Sequence, residues 1–404
     1  MSFEKFYTSV FYTQEELEFQ KNVRNFVVDK IVPEMDCYVD NNDYPHDLMK
    51  KVGKAGYLGV FHDPAYGGLG KGAVEETIVS EEISAVFPAF DMGRAASSAF
   101  YGMSISRFCN EEQKQKYLTP IIRGDKIGAI CITERNVGSD VAGMKTKAWK
   151  EGDNWILDGN KRYITNGGVA DYFIVFAITD SSIHPHKGMS AFIVEREWEG
   201  FKLIRNHELM GMNNARVSEL EFNKIELPAE NLIANEGEGF KVVMAELDFE
   251  RVTIAGEALG YSRVPFEEAI KYSNERIQFD RPIRAFEGVS FKIADMITKM
   301  DAARLLTIQA ARLINRSWAK NNDSISMEEA SIKTRAATQC KVFATEIAFD
   351  IASMAMQICG GTGYSKDLPI ERFFRDGRLM SIAGGTAEIL RFLIQREVYR
   401  LAGL

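Results

Sequence analysis

Four short runs rich in β-branched and aromatic residues, DNWILDG, DYFIVFAIT, MSAFIVE and SELEFNKIEL, are confined to the middle third of the chain and bounded by Gly, Asn, Asp or Pro. Helical patterns lie on both sides of them. Leu17, Phe19, Val23, Phe26, Val27 and Ile31 recur with an approximate helical period, and Pro33 is expected to end that helix. HDPAYGGLGKG (62–72) reads as a loop by its Gly and Pro content, and further helices are expected around 74–86 and 90–108. From about Gly237, VVMAELDFERVTIAGEALGYSRVPFEEAIKYSNERI and ISMEEASIKTRAATQCKVFATEIAFDIASMAMQI carry long helical patterns towards the end. Helices, then strands, then helices argue for an α+β chain of separate domains, here 1–127, 128–236 and 237–404.

Composition closes several alternatives. With 46% hydrophobic residues among 404, there is enough apolar side chain for a core, so a disordered chain is excluded. The 49 basic and 57 acidic residues leave a net charge of −8, and without a basic block nucleic-acid binding is disfavoured. No uninterrupted apolar run has the length of a membrane span, and MSFEKFYTSV lacks the pattern of a secretory signal. Cys37, Cys109, Cys131, Cys340 and Cys359 form no CxxC pair, which points to a reducing cytoplasm. His184 and His186 flank Pro185 with no ligand partner at metal spacing, so no metal site is expected.

Chemistry-bearing segments sit at the borders of these regions. They are CITERNVGSD (131–140), YITNGGVADYFIVF (163–176), ERIQFDRPI (275–283), QICGGTGY (357–364) and IAGGTAEILR (382–391). Each glycine-containing loop is weak by itself, and none is a Walker or Rossmann fingerprint. In this order and spacing they resemble the acyl-CoA dehydrogenase family over nearly the whole chain. The resemblance implies an N-terminal helical domain, a central β-barrel-like domain and a C-terminal four-helix domain. It also implies bound FAD, a homotetramer in which a neighbour contacts each flavin, and an electron-transferring flavoprotein as acceptor.

Carried over residue by residue, the resemblance places Ile130, Thr133 and Ser139 along the flavin ring, with Ser139 also facing substrate. Arg135 stands where relatives have Pro, which leaves the shape of that loop open. Tyr172 falls where an aromatic lies beside the isoalloxazine; the alternative is a half-buried strand aromatic. Arg276, Gln278 and Phe279 match the strip that reaches a neighbour's FAD, although Asp280 replaces a Gly. The Arg fork suits a pyrophosphate. Gln357 with Gly361, and Thr386 with Glu388, match further FAD contacts, while Asp248 and Arg251 fall on the helix lining the acyl-CoA pocket.

The departure is at the base. Where many relatives carry Tyr-Glu-Gly-Thr, whose Glu takes the proton from C2 of the thioester, this chain reads Ala383-Gly384-Gly385-Thr386. Gly384 keeps the backbone N–H that holds the thioester oxygen in the family, a donor worth roughly 3–4 kcal/mol. Two carboxylates compete for the vacant role. Glu250 matches the base of isovaleryl-CoA dehydrogenases, though many relatives carry a Glu there without using it. Asp91 lies on the helix at the distal end of the pocket, sharing a face with Ala95 and Ser98, and its alternative role is a helix N-cap. A distal base suits an α,β-unsaturated thioester, whose γ C–H is acidified by conjugation. Loss of that proton, with hydride leaving another ring carbon, is a 1,4-elimination. The chain looks similar to the members of the family that act on cyclohex-1-ene-1-carboxyl-CoA in anaerobic aromatic-compound pathways. Two rivals stand beside this expectation: ordinary α,β-dehydrogenation with Glu250 as base, and a silent flavin- or CoA-binding scaffold.

Overall fold

The computed structural model describes residues 3–7, 11–320 and 325–404. Among the described residues eight α-helices precede the first strand: α1 Gln14–Phe26, α2 Val32–Asn41, α3 His46–Lys54, α4 Ala73–Ser84, α5 Pro88–Ala95, α6 Gly102–Phe108, α7 Glu111–Tyr117 and α8 Thr119–Arg123. Thr13 starts α1 with a capping box, its hydroxyl accepting from the Glu16 N–H while the Glu16 carboxylate accepts from the Thr13 N–H. Pro33 does not end this helix, contrary to expectation. A π turn over Val27–Ile31 joins α1 to α2, and Pro33 sits in the first turn of α2, where a missing N–H costs nothing. A second π turn, Ala96–Tyr101, interrupts the helical stretch expected over 90–108 and links α5 to α6.

The strands are β1 Gly128–Cys131, β2 Lys147–Glu151, β3 Asn154–Ile164, β4 Tyr172–Ile178, β5 Met189–Glu195, β6 Phe201–Asn206, β7 Ser218–Leu227 and β8 Leu232–Ile233, with a short helix α9 Pro185–Gly188 before β5. All eight join one sheet in the order β6-β7-β3-β2-β4-β5-β8, and β1 pairs in parallel with β4. The four strand-like runs of the sequence are β3, β4, β5 and β7. Strands β4 and β5 are buried along most of their length, which is why they read as continuous apolar runs rather than alternating ones.

The C-terminal part holds α10 Gly239–Glu275, a hairpin of β9 Ile277–Gln278 and β10 Arg281–Pro282, then α11 Glu287–Ala319, α12 Met327–Tyr364, α13 Ile370–Gly377 and α14 Ala387–Leu401. By length and composition α12 could cross a membrane, but 56% of its most apolar window is buried inside the fold, as in a core helix. The first and last parts of the chain meet where α4 crosses α10. A Cβ at Gly256 would lie 2.8 Å from Thr77 Cγ2, and one at Gly260 would lie 2.4 Å from the Glu81 carbonyl oxygen, so only glycine permits this approach. Buried ion pairs then lock the crossing. Arg304 of α11 donates two hydrogen bonds to Glu81, while Arg24 and Arg263 reach Glu82 at 2.8 and 2.9 Å. Through α4 and α10 this junction seats α5, which carries Asp91.

Candidate active site

Asp91 lies in the first turn of α5 and is fully buried. It is not an N-cap: Phe87 holds that position and makes no side-chain cap. One Asp91 oxygen accepts from Arg94 Nε at 2.5 Å; the other, Oδ2, is buried with no partner among the described residues. Arg94 also donates to Glu76 at 2.9 Å and to Ser80 at 2.8 Å. Burial pushes the Asp91 carboxyl up to about 7, against the pull of Arg94 and with a further push from Glu76. Across from α5, α10 presents Glu257 and Tyr261, both buried. Burial, followed by the charge of Asp91, holds the Glu257 carboxyl well above the usual range. The Tyr261 hydroxyl has no partner among the described residues. A buried carboxylate left half-satisfied among other acids is expensive, and such groups concentrate at functional sites.

Glu246, Glu250 and Glu257 lie on one face of α10, at intervals of one and then two turns. Glu257 senses the charges of both Asp91 and Glu250, so the row links the two candidate bases. Glu250 retains some accessible surface although protein surrounds it. Burial raises its carboxyl, and Arg251 and Lys341 oppose that rise. Gly384 stands directly beside it. A Cβ built there would lie 3.4 Å from Glu250 Oε1 and 2.4 Å from Ile254 Cδ1. The Glu250 carboxylate thus lies where the side chain missing from position 384 would begin. Gly384 has φ +63° and Gly385 φ +94°, left-handed values that favour glycine.

The 131–140 loop is held by Glu134. The buried Glu134 carboxylate accepts from the backbone of Lys145 and Thr146, and from Lys161 Nζ at 3.0 Å. Arg135 is exposed on the far side of a tight turn from Glu134 to Val137. Ile130 and Thr133 are partly exposed and Ser139 is exposed. The Arg162 N–H donates to the Thr133 carbonyl at 2.8 Å, which brings the end of β3 beside this loop.

Tyr172 begins β4 opposite Gly128 and packs edge-on against Tyr117, with Lys126 above its ring. Tyr163 follows Arg162, whose N–H reaches the Thr133 carbonyl. A register shift between Lys161 and Ile164 re-aims it, its φ is +57°, and it is 53% exposed. Thr165 follows at the same edge, partly exposed. Both residues stand in the YITNGG motif. Among the described residues no hydrogen bond uses the side-chain hydroxyl of Thr133 or Thr165.

The other expected contacts divide in two. Arg276, Gln278, Phe279, Gln357, Gly361 and Glu388 are all exposed. Phe279 and Asp280 form the two-residue turn of the β9–β10 hairpin, both at positive φ, which Asp tolerates in place of Gly. The remaining residues are engaged within the protein. Thr386 is the N-cap of α14, its hydroxyl accepting from the Ile389 N–H. Arg251 donates to Asp248 at 3.1 Å, and Asp248 also accepts from Thr334 of α12 at 2.8 Å, so this buried pair ties two helices together. The Arg251 Nε lacks a partner among the described residues.

The donor set fits a flavin: unused hydroxyls at Thr133 and Thr165, open space around Gly138 and Gly361, and the N-terminus of α14. Comparison with known proteins agrees. The acyl-CoA dehydrogenase N-terminal, middle and C-terminal domain profiles match residues 13–125, 129–225 and 237–399. An acyl-CoA dehydrogenase of Bacillus subtilis is 38% identical over 97% of this chain and 99% of its own. Butyryl-CoA dehydrogenase from Megasphaera elsdenii superposes with a TM-score of 0.86 at 32% identity, covering 97% of this chain and 100% of that one. A chain from a study of the electron transferring flavoprotein of Acidaminococcus fermentans gives a TM-score of 0.90 at 35% identity, with 97% and 100% covered. The chain therefore belongs to the acyl-CoA dehydrogenase family, FAD-dependent oxidoreductases acting on CH–CH bonds of acyl-CoA thioesters.

Proposed function

We propose that the chain catalyses 1,4-elimination from cyclohex-1-ene-1-carboxyl-CoA, giving the conjugated 1,5-diene, with Asp91 as the base. The observation that carries this reading is the buried, half-satisfied Asp91 carboxyl near pKa 7, in a chain with Gly384 at the family's usual base position. The α carbon of this thioester bears no hydrogen, so a base directed there has nothing to remove. Asp91 takes a proton from ring carbon C3. The electrons of that C–H bond form C2=C3, those of C1=C2 form C1=C6, and a hydride leaves C6. Bound FAD supplies the hydride acceptor. Arg94 holds one Asp91 oxygen and leaves the other free for the proton. Burial and the neighbouring Asp91 charge both push the Glu257 carboxyl towards its protonated form. The Gly384 N–H stabilises the oxygen of the dienolate.

A second reading, α,β-dehydrogenation of a saturated acyl-CoA with Glu250 as base, is favoured by the 3.4 Å approach of Glu250 to position 384 and by the likeness to a butyryl-CoA dehydrogenase. Anaerobic titration of the flavin with cyclohex-1-ene-1-carboxyl-CoA and with butyryl-CoA, products identified by mass and NMR, separates the two. Diene from the cyclic thioester supports Asp91. Reaction of butyryl-CoA alone supports Glu250, and no bleaching with either identifies a silent scaffold.

The reading includes a homotetramer in which Arg276, Gln278, Phe279, Gln357 and Gly361 serve a neighbour's FAD. Their exposure supports this, above all the 86% exposed Phe279. It includes an electron-transferring flavoprotein as acceptor, which the likeness to the Acidaminococcus chain supports. It includes a cytoplasmic location, consistent with five free cysteines. The division at 127/128 and 236/237 places β1 and α10 just inside their domains.

A further inference from the structure

Lys341 of α12 is fully buried, and its ammonium donates to the Gly385 carbonyl at 2.8 Å. A buried ammonium is retained only where its hydrogen bonding justifies its desolvation. Among the described residues no carboxylate forms an ion pair with it; Glu250 and Arg251 of α10, Glu346 of α12 and Glu388 of α14 are the charges that act on it. Burial lowers it to about 8.

The partner of this lysine is a turn with little else to hold it. Ala383 is tied by its N–H to the Leu379 carbonyl at 3.0 Å, and Thr386 is tied into the cap of α14. Between these anchors stand two consecutive glycines, the residues with most freedom to rotate. No side chain of their own restrains them, and the contact from Lys341 falls on the second.

We propose that Lys341 is a positioning residue for the reaction: it pins the Gly385 carbonyl and so holds the Gly384–Gly385 turn with the Gly384 N–H facing the thioester oxygen. This rests on the role given above to Gly384. The test uses full-length, FAD-loaded protein and the variants Lys341→Met and Lys341→Arg. Benzoyl-CoA labelled with ¹³C at its carbonyl is the infrared probe, because it carries no hydrogen that the reaction removes. In wild type the bound carbonyl stretch is expected to fall, as for an oxygen accepting hydrogen bonds. Lys341→Met should lose most of that downshift and about 10- to 100-fold in kcat, part of what loss of a whole oxyanion donor costs, with KM changed less than about threefold. Lys341→Arg should recover part of both. A downshift and kcat that survive in Lys341→Met overturn the role of Lys341 alone. A wild-type protein without a downshift overturns the Gly384 reading, and this proposal with it. If Lys341→Met does not fold, Lys341→Gln takes its place, and a Gln variant matching wild type in both kcat and downshift overturns the proposal.

Discussion

Replacing Asp91 by Asn separates a base from a structural partner of Arg94, because the two roles predict opposite changes. The raised carboxyl sets the scale. At roughly 1.4 kcal/mol per pH unit, a rise from 3.8 to about 7 costs the folded state at most about 4.5 kcal/mol once Asp91 is ionised. The folded pKa lies above the unfolded one. The stability linked to protonated Asp91 is therefore complete below about pH 4 and is lost as pH rises through about 7. Asn imitates the protonated acid and does not titrate. Arg94 keeps Glu76 and Ser80 in the variant. Asp91→Asn should therefore melt no lower than wild type at pH 8. Its rate of flavin reduction by cyclohex-1-ene-1-carboxyl-CoA should nevertheless fall by about 10²–10⁴-fold, the usual loss of a general base. Stopped-flow flavin bleaching and thermal melts on the same samples read both quantities, with Glu250→Gln as the control expected to stay within about tenfold. Near-normal reduction in Asp91→Asn together with loss in Glu250→Gln would refute the reasoning and promote α,β-dehydrogenation. A variant that reduces normally but melts well below wild type would make Asp91 a structural partner of Arg94.

Three further outcomes are expected. The rate of flavin reduction should rise as pH increases through about 7, since only ionised Asp91 accepts a proton; a flat profile there contradicts its role. Arg276→Ala should lower the flavin-to-protein absorbance ratio with little change in melting temperature, as befits an exposed side chain, and sedimentation showing fully flavinated monomers would contradict sharing between subunits. Gly384→Glu alone should lose about 1–3 kcal/mol of stability, because φ is +63° and the new Cβ meets Ile254 at 2.4 Å. Combined with Ile254→Ala it should gain α,β-dehydrogenation of saturated acyl-CoAs, and a folded, flavin-loaded double variant without that activity would show that the missing base belongs elsewhere.

Much of this molecule was legible along the chain. Period-two and continuous apolar runs place β3, β4, β5 and β7, and long helical periods place α10 and α12, because burial of a face is written into local spacing. The absence of a carboxylate at Gly384 needs no fold to be seen. Local spacing says nothing, however, about turns that shift register. The π turns at Val27–Ile31 and Ala96–Tyr101, and the register shift in β3 at Tyr163, arise from packing between distant segments. The same holds for Asp91. Its sequence suits a helix cap as well as a base, and only the crossing of α4 over α10 at Gly256 and Gly260 brings Glu257 and Glu76 around it, seals it from water and raises its carboxyl. A pKa depends on the charges and solvent that tertiary contacts assemble, so the sequence by itself determined which carboxylates are present, and the fold decided which of them is kept dry and half-satisfied.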